Sequence, residues 1–190
     1  NENWDTKKNQ LCYMGAISSL RGINQLVEAM KFVNNETKLV LCGLFDDLNL
    51  KNKLLKNHGW KKIDYRGHVS RSELKLILQE SQAGIVNFLP EPNHINAQPN
   101  KMFEYMSAGI PVICSNFLLW NQIVSYHKCG LVIDPFSPKD IAKGINNLLS
   151  DKAKAKKMGE NGKKSVSNIF NWDEEKNKLE NYYFKLINKL

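Results

Sequence analysis

Short apolar runs that end on glycine recur along this chain, each followed by a helical pattern, and that alternation limits the folds open to it. Gln10-Leu11-Cys12-Tyr13-Met14 stops at Gly15, Leu39-Val40-Leu41-Cys42 stops at Gly43, and Ile63-Asp64-Tyr65-Arg66-Gly67 reads as a further, less apolar strand. Ile85-Val86-Asn87-Phe88-Leu89, Pro111-Val112-Ile113-Cys114 and Leu131-Val132-Ile133 read as three more strands. A continuous apolar run, without polar alternation, marks a strand covered on both faces. Between these runs, Ile23, Leu26, Val27 and Met30 recur at i, i+3, i+4 and i+7, the spacing of an amphipathic helix. Asp46-Asp47 caps a helix carrying Leu50, Leu54 and Leu55. Ser70 to Glu73 forms a capping box ahead of Leu74, Ile77 and Leu78. Leu118 to Val124 reads as a short helix, and Ser137 caps one with Ile141, Ile145, Leu148 and Leu149 inside. Pro90 to Gln98 reads as a loop. From Asp151 the chain is helical and basic, with breaks expected near Gly159 and Gly162, and a last helix runs from Trp172 to Leu190. The pattern predicts an α/β fold: a doubly wound, Rossmann-like parallel sheet with helices on both faces. It forms one domain over residues 1–190. Ligands of such sheets lie outside the carboxyl ends of the strands, near the point where strand order reverses.

The stretch Pro99 to Ile113 carries the sharpest chemical signal. Pro99 suits a first helical position, Met102, Phe103, Met106 and Ile110 form an apolar face, and Gly109 ends the helix before the next strand. On its flank, Lys101, Glu104 and Ala108 stand at i, i+3 and i+7. A lysine in a first turn opposes the macrodipole, and lysine ahead of glutamate is the weaker order for a helical ion pair. An anion bound at the helix start would explain it, since free N–H groups of Asn100 and Lys101 would point at the same charge. A solvated Lys101–Glu104 pair on an outer face is the alternative.

A second cation stands in the segment Gly15-Ala16-Ile17-Ser18-Ser19-Leu20-Arg21-Gly22. Its glycines let backbone approach a ligand, and Arg21 presents a fork of donors at a helix start. Two cations on the carboxyl side of one sheet point to a diphosphate, against the reading of Arg21 as a solvent-facing arginine. Glu104 lies too far into its helix to favour phosphate, but a carboxylate accepts two hydrogen bonds from a vicinal diol such as that of ribose. His94 and Glu91 fall in the same loop and read as structural or solvated.

Other chemistries lack their motifs. There is no Gly-x-Gly-x-x-Gly after the first strand, no P-loop signature and no Gly-x-Ser-x-Gly elbow. Cys12, Cys42, Cys114 and Cys129 are scattered, without Cys-x-x-Cys or paired histidines, and Cys12, Cys42 and Cys114, in or beside expected strands, read as small buried hydrophobes in a reducing compartment. Neither a cofactor nor a metal is expected. The net charge of +8 is mostly lysine in an asparagine-rich chain, and coding bias accounts for it better than a nucleic-acid partner. The tract Lys152 to Lys157 with Lys163 and Lys164 reads first as a solvated helix face and second as a peripheral membrane contact. The expected location is the cytoplasm, with the inner face of a membrane as the further option. Because the chain opens Asn1-Glu2-Asn3-Trp4-Asp5 without a methionine, it is read as a part excised from a longer protein.

These strings together resemble the C-terminal nucleotide-sugar-binding domain of a GT-B glycosyltransferase of the retaining group 1 family. Gly15 to Gly22 resembles that family's first loop, usually Gly-Arg-Leu-Ser-x-Glu-Lys-Gly, with Arg21 on its phosphate-binding lysine and Ala16 in place of its arginine. Leu39 to Gly43, Tyr65 to Val69, Phe103 to Ile113, Gly130 to Pro135 and Phe170-Asn171-Trp172 resemble later segments, so the similarity runs from about Tyr13 to about Leu186. The resemblance implies a nucleoside-diphosphate sugar as substrate, UDP-linked by default. Its phosphates would lie at Arg21 and the N–H groups of Asn100 and Lys101, its ribose at Glu104 and its base against Gly67 and His68. A preceding acceptor-binding domain is implied too. Of the family's two glutamates, the second falls on Glu104 and the first, a donor-sugar contact, falls on Asn96. The family's paired glycines fall near Leu118 and Leu119. A nucleotide-sugar 2-epimerase and a non-catalytic nucleotide-binding module are the alternatives to a transferase.

Overall fold

The structure is a computed structural model that describes residues 4–188. Six strands form one all-parallel sheet: β1 Gln10–Met14, β2 Lys38–Cys42, β3 Ile63–Gly67, β4 Ala83–Val86, β5 Val112–Ser115 and β6 Gly130–Ile133. Their order is β3-β2-β1-β4-β5-β6, so strand order reverses between β1 and β4. Successive residues of a strand point to opposite faces, and in β1, β2, β4 and β5 both faces are buried, whereas the edge strands β3 and β6 are partly exposed. Leu11, Tyr13, Leu39, Leu41 and Ile85 enter one core with helices α1 Ile23–Ala29 and α7 Pro138–Ser150. Cys12, Met14, Val40, Cys42 and Val86 enter the other, with α5 Asn100–Ser107 and α6 Leu118–His127. That double burial is why β2, β4 and β5 read as apolar runs, and its absence at the sheet edge is why β3 carries Asp64 and Arg66. All four cysteines are buried free thiols, and burial pushes Cys12 up to about 12.

Helix starts follow local chemistry. The Asp47 side chain caps α2 Leu48–Leu55, Ser70 and Glu73 close a reciprocal capping box on α3 Arg71–Glu80, and Ser137 caps α7. Four expectations are corrected. Pro99 is the cap of α5 rather than its first residue, with ψ 125° and its carbonyl accepting the Met102 N–H at 2.9 Å. The segment read as a loop contains one helical turn, α4 Pro92–Ile95. β4 ends at Val86, because the Asn87 amide instead donates to the Gly22 carbonyl (3.0 Å) and the Leu89 N–H to that of Leu20 (2.9 Å). α8 Lys152–Asn168 is unbroken at Gly159 and Gly162, both buried. A Cβ on Gly159 would collide with the Gly109 carbonyl oxygen, and one on Gly162 would press on Met106 at 3.2 Å. These glycines let α8 lie close against α5, and tertiary packing overrides their weak helix propensity.

Tyr105 of α5 locks that helix to the middle of the sheet. Its hydroxyl accepts the Met14 N–H at 3.1 Å and donates to the Ile85 carbonyl at 3.4 Å, while its ring covers Gly84, where no side chain would fit. The final helix, α9 Trp172–Ile187, contains no buried residue. The end of that helix as read from sequence, Lys189 and Leu190, lies outside the described residues. No helix among the described residues is long and apolar enough to cross a membrane.

Candidate functional site

The carboxyl ends of β1 and β4 splay apart at the reversal of strand order, and a cleft of about 560 Å³ opens there. It brings together residues from four segments: Gly15 and Arg21 after β1, Leu74 of α3, Phe88 and α4 after β4, and the first turns of α5. Gly15, Arg21, Asn100, Lys101 and Glu104, all singled out from sequence, line this one cavity.

Arg21 sits differently from expectation. It ends a single 3-10 turn, Ser19–Arg21, and lies two residues before α1 rather than opening that helix. Its significance is positional. The guanidinium lies 5.2 Å from the centroid of the Phe88 ring.

Lys101 is the most unusual residue of the site. It is 7 % exposed, so the flank position expected of it is in fact an inner one. Its ammonium lies 4.0 Å from the centroid of Tyr13 and 5.0 Å from that of Phe88, and has no hydrogen-bond partner. The ring faces offset part of the cost of burying that charge. No ion pair joins it to Glu104, which stands exposed on the next turn, so the solvated-pair reading is excluded. Burial first, and the neighbouring Arg21 second, push the Lys101 ammonium down to about 7. Both cations converge beside Gly15: a Cβ built there would lie 3.4 Å from Lys101 Nζ and 3.5 Å from an Arg21 guanidinium nitrogen. Ala16 supplies no cation in the first loop, and α5 delivers one to that loop from the other side of the cleft.

A second chamber of about 370 Å³ adjoins the first through Met14, Gly15 and Leu74. His68 and Val69 line it after β3, opposite Ala16 and Leu44. Gly67 does not line it. It ends β3 at φ +64° and its carbonyl accepts the Gly43 N–H at 2.7 Å, which closes the chamber floor. Asn96 is not brought to the site. It is the exposed C-cap of α4 and lines neither chamber, because the helical turn carries Asn93, His94 and Ala97 to the cleft instead. Leu118 and Leu119 open α6 and line neither chamber. Sequence reasoning did not single out Phe88 or Asn93 for the site, and it read His94 as structural or solvated, whereas His94 lines the cleft. An aromatic residue directly after a central strand was the available signal for Phe88, and a one-turn helix hidden between two prolines left none for Asn93.

Among the described residues, no group of three or more His, Cys, Asp or Glu is placed to hold a metal ion. The cleft therefore offers two cations, exposed N–H groups at the start of an eight-residue helix, one carboxylate and an apolar side chamber. That set suits a dianion carrying a polar ring and a flat apolar group.

Comparison with known proteins gives the family context. The model of the family described as glycosyl transferases group 1 matches residues 1–165. An uncharacterized glycosyltransferase of Methanocaldococcus jannaschii is 27 % identical over 169 residues, covering 87 % of this chain and 42 % of that protein. Among solved structures, sucrose-phosphate synthase from Thermosynechococcus elongatus superposes with a TM-score of 0.83 at 22 % identity, over 99 % of this chain and 47 % of that one. Anabaena Alr3699/HepE in complex with UDP-glucose superposes with a TM-score of 0.77 at 16 % identity, over 96 % and 49 %. The chain spans less than half the length of each of these proteins.

Proposed function

Since the chain belongs to the group 1 glycosyl transferases, we propose that it forms the donor-binding part of an enzyme moving a sugar from a nucleoside diphosphate to a glycan or lipid-linked acceptor. UDP is the leading nucleotide, as it is the one held by the structural neighbour Alr3699/HepE. The observation that carries this reading is the convergence of Arg21 with a buried, unpartnered Lys101 at Gly15. Two positive charges without a counter-charge between them are the complement of a diphosphate, and charge-assisted contacts of this kind are the strong ones. The same pair stabilises the negative charge that grows on the diphosphate as the glycosidic bond breaks, an electrostatic form of catalysis. The N–H groups of Asn100 and Lys101 add to it, Glu104 accepts from the ribose diol, and the base occupies the His68 chamber. A separate acceptor-binding domain would complete the enzyme. This chain alone would show little or no transfer.

Titration calorimetry with UDP, GDP and ADP tests the site. One of them is expected to bind and to raise the melting temperature by mass action. EDTA should leave that affinity within about twofold, because the cations already neutralise the phosphates and no metal cluster is present among the described residues. Abolition by EDTA would mean that a metal carries the phosphate chemistry. Glu104→Gln separates the ribose role from a structural one. It should weaken UDP about tenfold, the low end for a hydrogen bond to a charged group, and leave 2′,3′-dideoxy-UDP nearly unchanged. Since Glu104 is exposed and makes no ion pair among the described residues, thermal stability should hold. Equal weakening of both ligands would remove the ribose assignment.

A further inference from the structure

The segment after β4 is held more firmly than a solvated loop requires. The Ser115 hydroxyl donates to the Phe88 carbonyl at 2.6 Å, and the buried Trp120 indole N–H donates to the Ala97 carbonyl at 2.7 Å. Within this frame His94 is itself fixed. Its Nδ1 lies 3.0 Å from the Leu89 carbonyl, and its ring centroid lies 4.7 Å from that of Phe88. A carbonyl only accepts, so Nδ1 carries the proton and Nε2 is the ring nitrogen left for a ligand. Asn93, beside it, is exposed on the cleft wall and makes no side-chain hydrogen bond among the described residues.

Their position along the cleft gives them a role. The His68 chamber borders no residue of α4, whereas Asn93 and His94 border the chamber of the two cations. With the base in the former and the diphosphate at Arg21 and Lys101, the group beyond the diphosphate faces α4. We propose that Asn93 and His94 read the transferred group, and that this group is an uncharged pyranose recognised through its hydroxyls. The assignment rests on the donor-cleft reading. It moves the sugar contact from Asn96, which the structure leaves outside, to a turn three residues earlier. A carboxamide and an imidazole nitrogen together accept from and donate to hydroxyls. A sugar ammonium would be repelled by the nearby cations, and a sugar carboxylate would compete with the diphosphate for them.

The experiment measures, on this chain, the affinity of UDP, UDP-glucose, UDP-N-acetylglucosamine and UDP-glucuronate, and of GDP and GDP-mannose. For each pair the quantity is the ratio of conjugate to bare diphosphate. At least one neutral-sugar conjugate should bind more tightly than its bare diphosphate. Asn93→Ala and His94→Ala should each lower that ratio about five- to tenfold, the range for one lost hydrogen bond, and leave the bare diphosphate within about twofold. Asn93 supports nothing else in the fold, so its variant keeps the test clean even if His94→Ala loosens α4. An unchanged ratio in both variants, equal weakening of conjugate and bare diphosphate, or a preference confined to UDP-glucuronate overturns the sugar assignment while the donor cleft stands. Failure of the wild-type chain to bind any of the six ligands overturns both.

Discussion

Lys101→Met is expected to stabilise the fold while removing most of the affinity for nucleoside diphosphates. The Lys101 ammonium is buried without a hydrogen-bond partner, between the rings of Tyr13 and Phe88 and beside Arg21. A polar group left unsatisfied in this way costs about 1–3 kcal/mol, and methionine fills the same slot with apolar atoms. A chain of this length gains roughly 2–4 °C in melting temperature per kcal/mol, so differential scanning calorimetry should register the change. Calorimetric titration should show the opposite sign in binding. Loss of one charge-assisted phosphate contact costs about 1.5–3 kcal/mol, or roughly ten- to a hundredfold in affinity.

The pH dependence follows from the same geometry. In the ligand-free protein Lys101 is held down at about 7, against 10.5 for an ordinary lysine. A bound diphosphate favours the ammonium and raises that value, so binding near neutral pH takes up a proton. Affinity is therefore greatest below pH 7 and falls as pH rises above it, by up to tenfold per unit until the bound form titrates as well. Stability runs the other way: the folding cost of this lysine is fully present below pH 7 and is relieved as pH rises towards 10.5. At pH 8, binding heats measured in Tris and in HEPES should differ by the buffers' ionisation heats, and Lys101→Met should abolish the difference. A destabilised Lys101→Met variant that still binds UDP normally would show that the ammonium is structural. The charged groups around it are Arg21 before α1 and Glu104 on its own helix, and the other ionisable side chains are Cys12 and Tyr13 on β1, kept neutral by burial, and His94 on α4.

A large loss of stability is expected from Gly22→Ala. Gly22 adopts φ +66°, a left-handed conformation that costs other residues about 1–2 kcal/mol. A Cβ there would also run into the carbonyl oxygen and amide of Asn87, which is fully buried and cannot retreat. Overpacking of that kind adds about 1–3 kcal/mol, for a total of about 2–5 kcal/mol. Gly67 provides the control. It has a similar φ of +64°, but the nearest atom to a Cβ there, the Tyr65 hydroxyl, is 3.9 Å away. Gly67→Ala should therefore pay the backbone term alone. Chemical denaturation of both variants decides the matter: equal destabilisation would mean that the Gly22–Asn87 contact carries no weight. Any Gly22→Ala protein that remains folded should also bind UDP more weakly, since Arg21 and Phe88 flank the two residues forced apart.

The parts of this fold that were legible in sequence are those set by local, periodic physics. Gln10–Met14 and Ile63–Gly67 match their expected spans because continuous or glycine-stopped runs have few other uses. The Ser70–Glu73 capping box formed as read, since both partners lie within one turn. Misreadings came where distant residues decide. Gly159 and Gly162 look like helix breakers until Gly109 and Met106 are seen against them. Lys101 belongs to a polar stripe by spacing, and only the convergence of β1 and α5 shows that it is buried. The two cations were legible as residues of one cleft, but their meeting at Gly15 was not. Asn96 was chosen by alignment to a pattern, and the turn at Pro92–Ile95 rotated it away.

The Tyr105 hydroxyl, shared between Met14 and Ile85, has a consequence for how such a cleft can evolve. It fastens the helix bearing Lys101 to the very strands whose ends carry Gly15 and Phe88. The gauge of the slot between the cations is consequently set by a rivet in the interior, and loop substitutions can redecorate its rim without widening it. Accepting a bulkier or slimmer anion would require re-fitting Tyr105 and Gly84 together, a paired change in the core for a new preference at the surface.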